Sequence, residues 1–287
     1  MKKTQEYITY LTPEFIYVPF DDERLLNIPK TRKVFHNGYL GTNSKGDKLY
    51  SPISGLIIGY RQSKYSNYEA KSIVIENDFI DKREKLNPSR DANKIKKAEI
   101  LESLSKYGLN KKMNSKTTLV VNSLYDKKYD LKDMVINVES YEDILEAIDE
   151  FMNIFNMKTC YICVDRNDLY SINAYEKYIN AFDNITMVYS NKKFKKDITV
   201  FYGVEDILAI HKAIHLDYMY DNTIITINNN GNPVIVKVKK YSSLSELLQA
   251  LKITFKGKKI TINGNPITNI SNFVIDESVR SVIIKDN

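Results

Sequence analysis

Cys160 and Cys163 spell Cys-x-x-Cys, a spacing that serves redox chemistry or zinc binding. His211 and His215 lie four apart, a spacing that lets two imidazoles on one helix share a zinc ion. Asn122 and Asp165 close two apolar, β-branched runs, and Asn167 follows closely. A carboxylate at such a strand end can bond a ribose or a ring edge. Lys111 and Lys112, just after Gly108, offer two cations to an anion such as a phosphate. What this chemistry amounts to depends on the elements that carry it.

The stretch 116–165 reads strand, strand, helix, strand. Residues 117–121 and 134–138 are expected strands, and Ser140 with Asp143 forms a weak capping box that starts a helix. Ile144, Leu145, Ile148, Phe151, Met152 and Phe155 make its apolar face. Residues 159–164 form the next strand, so the two cysteines, three apart, point to opposite faces and are expected to be buried structural thiols. Asp165 could equally cap the following helix. Residues 197–202 read as a strand and 204–214 as a helix carrying the two histidines. The sequence fixes no third ligand beside them, and no metal is expected.

Around this core the chain divides into four stretches. Residues 1–80 hold glycine-punctuated loops (Gly38, Gly41, Gly46) and two strand-like runs at 50–60 and 71–78. Residues 81–115 form a charged connector with a helix through Ile95, Ala98, Ile100, Leu101 and Leu104, with Gly108 as its C-terminal stop. The α/β region runs over 116–228. Residues 229–287 open on an Asn/Gly/Pro turn, then a strand at 234–238, a helix over 244–251 capped by Ser243 and Glu246, and further strands near 260–262, 273–275 and 279–284.

The 287 residues can form two or three small domains, and the charge of +6 is spread as lysines among acids. That mild bias points to a solvated surface, not a nucleic-acid groove. No apolar run approaches the roughly 20 residues needed to cross a bilayer. Glu6, Thr9, Thr12 and Glu14 interrupt the region after Lys2 and Lys3, so no signal peptide is expected. Two cysteines fit a reducing cytoplasm, and membrane contact would come through a partner.

The turn Ser51-Pro52-Ile53-Ser54-Gly55 followed by Leu56-Ile57-Ile58-Gly59 looks like a barrel-sandwich hybrid, the small β fold of biotinyl and lipoyl domains, without their turn lysine. This motif, followed by the run Ile73–Asp78 (Ile-Val-Ile-Glu-Asn-Asp), resembles the N-terminal domain of the Rnf electron-transport-complex C subunit. Further along, Asn122 and Tyr129 match that family's Asn-Gly-Ala-Glu-Cys-Glu-Pro-Tyr element. The run 164–167 resembles its Ile-Glu-Asp-Asn, and 203–214 resembles its Asn-Val-Ala-Thr-Leu-Tyr-Ala-Ile-Tyr-Glu-Ala-Val helix. Residues 260–266 correspond to the Met-Gly-Gly-Pro turn of its soluble-ligand-binding β-grasp module.

The departures are as informative. Where the family carries Gly-Leu-Gly-Gly-Ala-Gly-Phe-Pro-Thr, this chain keeps only Gly108-Leu109. The Glu-Cys-Glu core is replaced, and the cysteine runs that would hold two iron–sulfur clusters do not occur. The resemblance implies a mixed α/β fold: an N-terminal barrel-sandwich hybrid, a central Rossmann-like domain and a C-terminal β-grasp module of the SLBB type. It implies a degenerate, non-catalytic scaffold or docking subunit without cofactor, held by a protein partner that is a membrane electron-transfer complex or a soluble reductase. Such a subunit would be cytoplasmic, or peripheral at the inner face of the membrane. Two alternatives stay open. One is a minimal oxidoreductase binding FMN or NADH through Gly108, Lys111, Lys112, Asn122, Asp165 and Asn167. The other is an assembly protein with no small ligand.

Overall fold

A computed structural model describes residues 6–83, 95–110, 113, 115–124, 130–189 and 194–286. In chain order the first strands are β1 (Glu6–Tyr10), β2 (Phe15–Phe20), β3 (Lys33–Val34), β4 (Tyr39–Thr42), β5 (Lys48–Tyr50), β6 (Gly55–Lys64) and β7 (Glu69–Asn77). Next come α1 (Lys97–Lys106), β8 (Thr118–Ser123), α2 (Lys132–Phe155), β9 (Thr159–Val164), α3 (Leu169–Glu176), β10 (Ile185–Val188), β11 (Thr199–Gly203) and α4 (Val204–Leu216). The remainder is β12 (Asn222–Asn229), β13 (Asn232–Lys239), β14 (Ser242–Ser243), α5 (Leu244–Ala250), β15 (Lys259–Ile262), β16 (Asn265–Ile267), β17 (Val274–Ile275) and β18 (Ser281–Lys285).

These elements group into two compact units. One draws on Met1–Lys85, Lys128–Leu131 and Asp221–Asn287, the other on Leu86–Lys127 and Lys132–Tyr220. In the first unit a mixed sheet runs β1-β13-β12-β18-β15-β16. The β12–β13 hairpin, α5 and the returning strands, with β18 parallel to β12, make a β-grasp. Its core packs Leu244, Leu247 and Leu248 of α5 onto Ile225, Ile227, Val236, Val238, Val282 and Ile284. The helix starts where the sequence placed it, with the Ser243 hydroxyl accepting from the Glu246 amide.

The second sheet of this unit, β17-β14-β2-β7-β6-β3, is antiparallel between its neighbours. It includes the N-terminal β region read from the sequence. Hydrogen-bonded pairing joins what the sequence presents as separate stretches, since β1 pairs with β13 and β2 with β14. The two N-terminal motifs also meet. The Ser54 hydroxyl donates to Asp78 at 2.6 Å, and Gly55 lies against the Glu76 carbonyl.

A β-carbon on Gly55 would stand 1.9 Å from that oxygen, which is backbone and cannot move aside alone. Gly55→Ala is therefore expected to destabilise the first unit by about 1–3 kcal/mol through forced repacking of β6 against β7. Urea unfolding would read this, and an unchanged midpoint would show that the two strands can part freely there.

The second unit is a four-stranded parallel sheet, β10-β9-β8-β11, with α1, α4, α2 and α3 packed in sequence beside it. Here one expectation is corrected. Residues 134–138 are not a strand but lie inside α2, which begins at Lys132 and is interrupted at Ser140 (φ −136°, ψ 25°). The β-branched run costs a helix only a few tenths of a kcal/mol per residue. Burial of Val135, Ile136 and Asn137 outweighs that. Ser140, read as a helix start, marks the kink instead.

Candidate functional site at the strand ends

The sheet order reverses at β8. From there the chain moves outward through β9 to β10, then returns to place β11 on the other side of β8. In open parallel sheets the crevice beyond the strand ends at such a reversal is where ligands sit. Here it lies between the ends of β8 and β11, where Asn122 is level with Gly203.

The first turn of α4 starts directly at the end of β11 and is tied to the first turn of α2. Gly203 caps α4, and its amide donates to Asp206 at 2.9 Å. Glu205, in the same turn, forms an ion pair with Lys132 at the start of α2. Lys132 is 1% exposed, so both charges are held almost out of water and depend on each other.

A second polar cluster ties the end of β8 to α2 and α3. The Asn137 amide donates to Ser123 Oγ at 2.6 Å and to Ser171 Oγ at 2.9 Å, and its oxygen accepts from the Tyr175 hydroxyl at 2.7 Å. Asp168 caps α3 by accepting from the Ser171 amide and hydroxyl. Burial first, then the nearby Asp133, Cys160 and Asp168, push the Tyr175 phenol well above its ordinary range, so it remains a neutral donor. With Asn137, Ser123 and Ser171 all fully buried, the strand end is occupied by side chains bonded to one another.

The residues singled out by sequence scatter around this crevice. Asn122 is exposed, and its side chain accepts from the Leu124 amide at 3.3 Å in the turn leaving β8. Asp165 accepts from the Asn167 amide at 2.7 Å, while Asn167 itself is exposed and the cap of α3 falls to Asp168. Asp165 therefore shapes the turn beyond β9, one strand away from the reversal. Gly108 adopts φ +69° just past α1, the left-handed stop that glycine favours. Leu109 beside it returns an amide to Leu104 and accepts from the Tyr202 hydroxyl. Lys111, Lys112 and Tyr129 lie outside the described residues.

The two cysteines are buried in β9 and form no disulfide. Burial, with Cys163 adding to it, pushes the Cys160 thiol well up, which makes it a poor nucleophile. The histidines sit on α4 facing carboxylates of α2. Burial lowers the pKa of His211, while the hydrogen bond His215 makes to the Glu150 carboxylate raises that of His215.

Sequence reasoning missed Lys132, Glu205 and Asn137. Nothing separates Lys132 from the chain's other lysines by type or spacing. Asn137 did carry a signal, since it is a lone amide in the run Val135-Ile136-Asn137-Val138.

No protein-family model matches the chain, and no curated protein matches it in sequence. Among solved structures it is similar to a chain of NAD+-reducing [NiFe]-hydrogenase in the H2-reduced state, with TM-score 0.53 and 10% identity over 70% of this chain. The same hydrogenase in the air-oxidized state gives TM-score 0.52 and 10% identity over 69% of this chain. The chain spans about half the length of those relatives, 49% and 48%. At this identity the likeness shows a shared fold. Among the described residues no helix is long and apolar enough to cross a membrane.

Proposed function

We propose that this chain is a non-catalytic docking or scaffold subunit of an electron-transfer assembly, a degenerate relative of the Rnf C subunit. One observation carries the reading: a fold shared with a NAD+-reducing hydrogenase chain is combined with strand ends filled by the protein's own paired side chains. Lys132 with Glu205, and Asn137 with its three partners, spend on one another the groups a nucleotide would use. The redox chemistry then belongs to a protein partner, a membrane electron-transfer complex or a soluble reductase. Contact with the inner face of a membrane would come through that partner.

The test is an absorbance spectrum of the purified chain, before and after incubation with FMN and desalting, beside that of the complex isolated from its source. The expected result is flavin or iron–sulfur absorbance in the complex and none on the chain alone. A flavin band retained by the chain overturns the docking reading. It would make the chain a minimal oxidoreductase instead.

A further inference from the structure

Asp143, Glu146 and Glu150 are spaced by three and four residues, so they share one face of α2. Helix α4 packs against that helix and brings His211 and His215 to the same face. His211 Nε2 lies 3.4 Å from Glu146 Oε2, and His215 Nε2 lies 3.1 Å from Glu150 Oε2. The two imidazole centroids are 4.3 Å apart. One ligand atom from each of Glu146, His211 and His215 falls within 4.8 Å of the others.

Ion pairing alone accounts well for His215. It accounts poorly for His211, whose side chain is only 12% exposed. Its contact to Glu146 is long, and its Nδ1 is buried without a hydrogen bond, 3.9 Å from Asp143. We propose that α2 and α4 clasp one divalent ion of the zinc class between Glu146, His211 and His215. Two imidazole nitrogens and a carboxylate oxygen are the donor set of tetrahedral zinc, whereas magnesium and calcium take oxygen ligands. Glu146 is more than half exposed, which leaves the fourth position to water or to Glu150. The sequence supplied the histidine pair; the third ligand comes from a helix some 65 residues earlier.

Calorimetric titration of Zn2+ into the chelator-treated full chain should show a single equivalent bound at micromolar or tighter affinity, undiminished by excess Mg2+. His211→Ala and His215→Ala should each weaken it by roughly 100-fold or more, beyond the loss seen when only a supporting residue is removed. Glu176→Gln, at an exposed position of α3, should bind as the wild type does. Co2+ added to the unmodified chain should give the intense visible bands of tetrahedral coordination, a readout that needs no variant to fold. Absence of both heat and cobalt bands at sub-millimolar metal overturns the site. So does wild-type binding by the His211→Ala/His215→Ala double variant.

Discussion

Lys132→Ala is expected to cost the second unit about 3–5 kcal/mol, because it takes a buried cation away from the Glu205 carboxylate in a place with little water. The loss should appear as faster hydrogen exchange in β8, β11 and the first turns of α2 and α4, and as a lower urea midpoint. The companion variant Lys132→Met/Glu205→Leu removes both charges and keeps apolar volume. It should recover most of the loss, since buried ion pairs are often no better than well-packed hydrophobic replacements. If the double variant is as unstable as the single one, the pair contributes through hydrogen bonds its apolar substitutes cannot make. If the single variant is as stable as the wild type, water reaches Glu205.

The second large effect lies in the first unit. His36 is buried with Nδ1 facing Asp81 and Nε2 facing Asp221 at 2.5 Å, and Lys239 Nζ reaches the same Asp221 oxygen at 2.9 Å. Burial alone would raise the Asp221 carboxyl, but the His36 hydrogen bond and the Lys239 charge outweigh it and hold it below the usual carboxylate range. Asp221→Ala leaves Lys239 buried without its anion and should cost about 3–5 kcal/mol at neutral pH. The pH dependence has a definite sign. A carboxyl whose pKa is depressed on folding adds stability above its unfolded value, about 4, and loses it as pH falls through the folded value. The gap between wild type and Asp221→Ala should therefore be full near neutrality and narrow below about pH 4. A gap that stays constant down to acid would mean that packing, not charge, sets it.

How much of this was legible depended on whether the signal was local. Residues 159–164 fell as expected because six successive β-branched, aromatic and cysteine residues fit only a buried strand. The α5 cap was equally plain from Ser243 and Glu246. Residues 134–138 misled for the opposite reason. Their local preference is for a strand, and packing of Val135 and Ile136 decided otherwise. The strand β12 was passed over although Ile224, Ile225 and Ile227 announce it. At the candidate site, chain-local features such as the Gly108 stop and the Asp165 turn could be read. The Lys132–Glu205 pair could not, because its partners stand far apart in sequence and meet only once the sheet order is known.

The pairing of β1 with β13 and of β2 with β14 has a consequence for synthesis. The first unit is written mainly in two stretches, Met1–Lys85 and Asp221–Asn287, with the second unit and the short piece Lys128–Leu131 between them. Strands β1 and β2 emerge from the ribosome long before their partners β13 and β14. Until then those strands present unpaired edges, while the second unit, whose helices follow their own strands directly, can fold from nearby contacts. Pulse proteolysis of stalled nascent chains should find the second unit resistant first. The earliest residues made should be among the last protected.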